Sequence, residues 1–195
     1  MKIYRTHNCA ALNKGDVGKE VVLSGWVSSR RVHGGLIFVD LRDRYGLTQI
    51  VSDPKHDKES HKEMDGVRPE YVILAKGHVR ARPDGMKNDK LATGEVEMLV
   101  DEIEILNKSE TTPFEINTTQ EVNEELRLKY RYLDLRSERM KNNIVMRHSI
   151  IKTIRDYLDK RDFLEIETPI LIKGTPEGSR EYLVPSRLHE GTFYV

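Results

Sequence analysis

Thirty-two Lys and Arg stand against thirty-two Asp and Glu in this 195-residue chain. The absence of net charge excludes a general polyanion binder built on a wide basic face, and 33% charged with 37% hydrophobic residues describes a strongly solvated protein with modest cores, in one large domain or two small ones. The single cysteine, Cys9, excludes an internal disulfide and a cysteine-rich zinc site; no apolar run approaches membrane-spanning length and no signal-peptide h-region opens the chain, so cytoplasm is the expected compartment.

Short β-type runs with turn signals between them fill the first hundred residues. Glu20 to Arg31 reads as a strand with Val21, Leu23, Gly25 and Val27 on one face, and Val32-His33-Gly34-Gly35 as a turn. Leu36 to Asp43 is a second strand, Tyr45-Gly46 a tight connection, and Leu47 to Ser52 a third. Asp53-Pro54 opens a polar segment, read as helical to about Met64; Tyr71 to Ala81 and Glu95 to Leu106 are the fourth and fifth strands. Five strands with a helix between the third and fourth is the order of an OB-fold, a small closed barrel that often binds oligonucleotides.

Strand alternation assigns the faces. Ile37, Val39 and Leu41 share one side of the second strand, and Phe38 shares the other with Asp40 and Arg42. The acid and the base predict that Phe38 stands on a solvent-exposed surface. In the fourth strand Tyr71, Ile73, Ala75, Gly77 and Val79 fill one face, while Lys76, His78, Arg80 and Arg82 line the other. An aromatic ring beside a short cationic row suits single-stranded nucleic acid, since bases stack on the ring and phosphates meet the cations. A strand row of this kind is more often a plain solvated face. Residues 1–106 hold seventeen Lys/Arg and seventeen Asp/Glu, so the field is local and favours reading a few bases over gripping backbone at length.

Residues 107–123 are polar and aperiodic, with Pro113 among Asn, Thr and Gln, and read as a hinge. Glu124 to Arg131 is a short predicted helix whose Leu126, Tyr130 and Leu133 are available for packing. A long amphipathic helix follows. Met140, Ile144, Ile151, Ile154 and Leu158 share one face, Ser137 stands at the N-cap position and Glu138 in the first turn. The helix is expected to fade near Lys160-Arg161. Phe163 to Glu167 then alternates apolar and acidic residues as a strand does, and Thr168 is held extended by Pro169. A turn-rich stretch, Thr175-Pro176-Glu177-Gly178-Ser179-Arg180, comes next.

The helix, short strand and closing proline resemble motif 1 of class II aminoacyl-tRNA synthetases. "LKYRYLDLR" (128–136) and "TPEGSREYLVPSR" (175–187) are similar to bacterial aspartyl-tRNA synthetases in particular, as is "SGWVSSRRVHGGLIFVDLRDRYGLTQIV" (24–51). The resemblance covers essentially the whole chain. It implies an OB-fold anticodon-binding domain at 1–106, a hinge at 107–123, and at 124–195 the start of an α+β class II catalytic domain. The implied activity is aspartate–tRNA ligation, with ATP and magnesium serving the full enzyme, tRNA and aspartate as partners, and a homodimer.

The resemblance also distributes roles. Phe38 would stack on an anticodon base and Gln49 would bond a base edge; Arg30, Arg82, Asn88 and Glu97 match the family's other anticodon contacts. A carboxylate such as Glu97 suits the amino group of cytosine or guanine. His33 with Gly34, and Gly85, resemble the type that charges both aspartate and asparagine tRNA. Glu177 matches the residue of a mobile loop that engages the ammonium group of aspartate, and Pro169 the proline that ends the dimer motif. No metal ligands are expected here. The family's motifs 2 and 3 are absent, so the chain reads as a portion without a complete active site. The competing reading is a non-catalytic OB-fold RNA-binding module with a dimerising helix.

Overall fold

The structure, a computed structural model, describes residues 4–83, 85–117, 121–172 and 182–195. It forms two compact units, residues 1–141 and 142–195.

The first unit is built on a closed barrel of five strands: β1 (Glu20–His33), β2 (Leu36–Arg42), β3 (Leu47–Ser52), β4 (Val72–Ala81) and β5 (Val96–Asn107), in the spatial order β1-β2-β3-β5-β4. Every pairing is antiparallel except β3 with β5. Closure leaves no free edge in the barrel, and the period-two pattern of each strand turns Val21, Leu23, Val27, Ile37, Val39, Leu41, Ile50, Ile73, Ala75, Val79, Met98 and Val100 into one core. The expected inner faces of the first, second and fourth strands are the observed ones. The β1–β2 hairpin turns on Gly34 and Gly35, both at positive φ (58° and 80°), the pair of left-handed residues that a two-residue type I′ turn requires. Strand β1 therefore runs two residues beyond the expected end, through His33, before the chain reverses.

One helix, α1 (Lys58–Asp65), lies between β3 and β4 and buries Met64 against the core. It starts later than expected. Residues 53–56 form a turn, and the Asp57 carboxylate caps the helix by accepting from the Ser60 amide at 2.7 Å. The hinge leads into two short helices, α2 (Glu124–Lys129) and α3 (Arg131–Asp134), in place of the single expected one; Leu133 is buried, and Leu126 and Tyr130 are half-buried.

Helix α4 (Glu138–Asp159) begins as expected, with the Ser137 hydroxyl accepting from the Met140 amide at 3.4 Å. None of its residues is buried. In the second unit, the strand expected at Phe163 to Glu167 does not form. A strand is completed by a neighbour's backbone. Here the alternating stretch meets no ladder, and Phe163, Leu164 and Ile166 stay exposed. Instead β6 (Val184–Pro185) pairs with β7 (Phe193–Tyr194), and Ile172 exchanges two backbone hydrogen bonds with Val195. Among the described residues, no helix is long and apolar enough to cross a membrane.

Candidate nucleic-acid interface

Strand register brings Phe38 together with a set of polar side chains on the outside of the barrel. Phe38 lies opposite Arg31 of β1 and Val51 of β3, and Asp40 lies opposite Ser29 and Gln49. The Phe38 ring is half-buried: Val51 beside it is fully buried, yet the ring is not sealed from water.

The surface around that ring is less wet than its charges suggest. Asp40 accepts from Arg31 Nη2 at both carboxylate oxygens (3.1 Å each) and from the Ser29 hydroxyl. Arg42 donates to both oxygens of Glu70, at 2.9 and 3.1 Å, and its side chain is only 12% exposed. The expectation that an acid and a base mark a solvent-exposed face is thus corrected: both are shielded because each has a close counter-charge.

The cationic row of β4 is likewise committed. Lys76 pairs with Glu20 at 3.0 Å, the His78 ring meets Asp101 at 2.6 Å, and Arg80 meets Glu97 at 2.8 Å. Hydrogen bonding to Glu20 raises the Lys76 pKa. Arg82 donates from Nε to the Val96 carbonyl at 3.1 Å, and its Nη2 is buried without a hydrogen-bond partner.

The other expected site residues fall as follows. Gln49 is 8% exposed; its Nε2 donates to Glu97 Oε2 at 2.7 Å, and its Oε1 accepts from Arg31 Nη2 at 3.2 Å. Glu97 is 3% exposed and holds Gln49 on one oxygen and Arg80 on the other. Arg30 turns away from Gln49 to the end of α1, where it pairs with Asp65 and reaches the Met64 carbonyl. Asn88 organises the β4–β5 loop, its side chain accepting from the Lys90 amide at 3.1 Å, its backbone N–H donating to the Gly94 carbonyl and its carbonyl accepting from the Leu91 amide. His33 and Gly85 are exposed at loop tips, and Pro169 is exposed in the second unit. Glu177 lies outside the described residues. Among those described, no cluster of three His, Cys, Asp or Glu could hold a metal ion.

Sequence reasoning missed two features. Arg31 was not singled out, because plain alternation from the inward Val27 assigns it to the inner face; the register shift between Val27 and Ser29 turns it outward, opposite Phe38. The other is a cluster at the far end of β2, where Arg136 donates to Glu70 at 2.6 Å and its guanidinium lies 4.3 Å from the Trp26 ring centre. This cluster borders an open cavity of about 540 Å³.

Comparison with known proteins fits this geometry. Residues 21–106 match the family model of the OB-fold nucleic acid binding domain, and residues 123–195 that of tRNA synthetases class II (D, K and N). The chain is 54% identical over 191 residues to an aspartate–tRNA(Asp/Asn) ligase of Desulfatibacillum aliphaticivorans, covering 98% of this chain and 32% of the relative. The similarly named ligase of Desulfotalea psychrophila is 55% identical over the same span, with the same coverage. The chain therefore spans about a third of the length of the curated relatives it matches. Among solved structures, an asparaginyl-tRNA synthetase of Pyrococcus horikoshii complexed with asparaginyl-adenylate superposes with a TM-score of 0.84 at 25% identity, covering all of this chain and 43% of that one. An aspartyl tRNA synthetase of Entamoeba histolytica shares the fold with a TM-score of 0.71 at 21% identity, over 80% of this chain and 37% of its own.

Proposed function

We propose that this chain, whose residues 21–106 match the OB-fold nucleic acid binding domain and 123–195 the class II tRNA synthetases, uses its barrel to bind the anticodon loop of tRNA on behalf of an aspartate–tRNA ligase. The half-exposed Phe38 ring, set beside the ordered amide of Gln49, is the observation that carries this reading. The ring offers a stacking platform, and Gln49 supplies hydrogen bonds to a base edge. Arg30, Arg82, Asn88 and Glu97 are further proposed contacts around the loop.

The whole enzyme would activate aspartate with ATP to the adenylate and transfer it to the tRNA's terminal ribose, with Glu177 on the ammonium group of aspartate. It would do so in the cytoplasm as a homodimer, with Pro169 closing the motif at the dimer interface. Magnesium would act in that enzyme. The described residues hold no carboxylate cluster fit to bind it. The names of the relatives favour a type that serves both aspartate and asparagine tRNA, with the His33-Gly34 turn and Gly85 at the discriminating loops.

Titrating the chain with anticodon stem-loops of the two tRNAs, by fluorescence anisotropy, tests this. Base stacking is worth roughly 1–3 kcal/mol, so Phe38→Ala should weaken binding about five- to 150-fold. Comparable affinity for both stem-loops is expected of the dual type. Undiminished binding after removal of the ring would overturn the reading.

A further inference from the structure

Five side chains, one from each strand, form a continuous hydrogen-bonded line across the outside of the barrel. Arg31 (β1) bonds Asp40 (β2) and Gln49 (β3); Gln49 bonds Glu97 (β5); Glu97 bonds Arg80 (β4). The line runs β2-β1-β3-β5-β4, and from β3 onward it follows the strand order of the barrel. Its middle member is the only uncharged one, and the only one whose two ends differ in kind.

We propose that Arg80 and Arg31 are positioning residues which, with Glu97 and Asp40, hold the Gln49 amide in one orientation and so set base selectivity beside Phe38. This rests on the reading of that face as the anticodon interface, and adds how it discriminates.

The argument is one of donor and acceptor inventory. An ionised carboxylate only accepts hydrogen bonds and a guanidinium only donates them. Glu97 therefore demands the NH2 end of Gln49, and Arg31 demands its carbonyl. The observed contacts, 2.7 Å from Nε2 to Glu97 and 3.2 Å from Arg31 to Oε1, satisfy both demands together. Rotating the amide by half a turn would set a carbonyl against a carboxylate and an NH2 against a guanidinium, losing both bonds. Arg80 in turn pins Glu97, with its Nε 2.8 Å from Oε1, and Asp40 pins Arg31 from both oxygens.

A clamped amide has one N–H and one carbonyl lone pair left over, in a fixed order. Uracil and guanine present a carbonyl beside a ring N–H, whereas adenine and cytosine present an amino group beside a ring nitrogen. An amide free to rotate would serve both classes. Held in one orientation beside a stacked ring, it favours one class over the other.

The test uses stem-loops in which each anticodon base is changed in turn to all four bases, titrated against the native chain and its Phe38→Ala, Arg80→Met, Arg80→Lys and Glu97→Gln variants. The native chain should prefer one edge class at one position by at least about fivefold, the lower bound of a good base-edge contact. Arg80→Met should reduce this preference to below about twofold while binding stays dependent on Phe38, and Arg80→Lys, which keeps a charge on Glu97, should restore part of it. In Glu97→Gln, which keeps the shape, Arg80 takes the new carbonyl and the new NH2 confronts the NH2 of Gln49 while Arg31 still demands the Gln49 carbonyl. The two demands then conflict, and the preference should level even if Arg80→Met fails to fold. A preference that survives both Glu97→Gln and Arg80→Met, or no preference in the native chain, overturns the proposal alone. Absence of stem-loop binding, or binding indifferent to Phe38, overturns the anticodon reading beneath it.

Discussion

The ion cluster at the far end of β2 ties the barrel to the segment after the hinge, and its removal has a calculable cost. Arg136 makes two contacts worth counting, the 2.6 Å hydrogen bond to Glu70 and the approach of its guanidinium to 4.3 Å from the Trp26 ring centre. A hydrogen bond to a charged group contributes roughly 1.5–3 kcal/mol, and a cation over an indole roughly 0.5–2 kcal/mol. Two observations trim the sum. A quarter of the Arg136 side chain is exposed (25%), and Glu70 keeps Arg42 as a partner, so the substitution leaves no orphaned carboxylate. Burial also lowers the Arg136 pKa despite Glu70 beside it, a sign that desolvation already costs part of the gain. Arg136→Ala should therefore destabilise the first unit by about 2–3 kcal/mol.

Trp26 is the only tryptophan, so its emission in a urea titration reports on this cluster directly. The expected result is an earlier midpoint with a changed native-state spectrum, and about half the loss for Arg136→Lys, which keeps the charge but not the flat fork. A loss below about 0.5 kcal/mol would refute the reasoning, because it is what a solvent-exposed pair gives.

Two other substitution or labelling experiments follow from the barrel. Burial, aided by the nearby Asp43 carboxylate, pushes the Cys9 thiol up to about 12. Native chain at pH 8 should resist alkylating reagents that label it quickly in urea; because the folded value is the raised one, the contribution is complete below the ordinary thiol value of 9.0 and is lost as pH climbs from there towards 12. A side chain at Gly77 would place its first carbon 2.0 Å from the Leu99 carbonyl oxygen, where β4 and β5 shift register. Gly77→Ala should cost about 3 kcal/mol, the upper end of overpacking, measurable as a lower thermal midpoint.

Which parts of this were readable in the sequence follows from how far each depends on distant partners. The alternation Ile37-Phe38-Val39-Asp40-Leu41 is a local property and places each side chain correctly in or out. Whether Asp40 and Arg42 are wet is not local. The counter-charge that shields Arg42 is Glu70, twenty-eight residues on, and Glu70 is itself shared with Arg136. The strand expected at Phe163 to Glu167 failed for a related reason: period-two patterning shows that a segment is able to join a sheet, but a ladder takes two partners. The resemblance supplied roles that geometry alone would not have suggested, Gln49 and Asn88 among them. It did not show that Glu97 faces Gln49, nor that Arg30 leans on α1.

The pairing of charges around Phe38 bears on how such a face can be selective. A stripe of free lysines and arginines attracts any polyanion, because each phosphate neutralised releases counterions whatever the base attached to it. On this barrel the outward Lys, His and Arg side chains of β4 each meet an acid on a neighbouring strand, Lys76 with Glu20, His78 with Asp101 and Arg80 with Glu97, and residues 1–106 hold equal numbers of Lys/Arg and Asp/Glu. Little indiscriminate attraction is left. Beside the ring's π-face the Gln49 amide offers a spare donor and a spare acceptor, and both act on bases and not on backbone. One of these pairs, Arg80 with Glu97, also holds the NH2 end of Gln49, so on the proposed reading low background attraction and directional recognition share a contact.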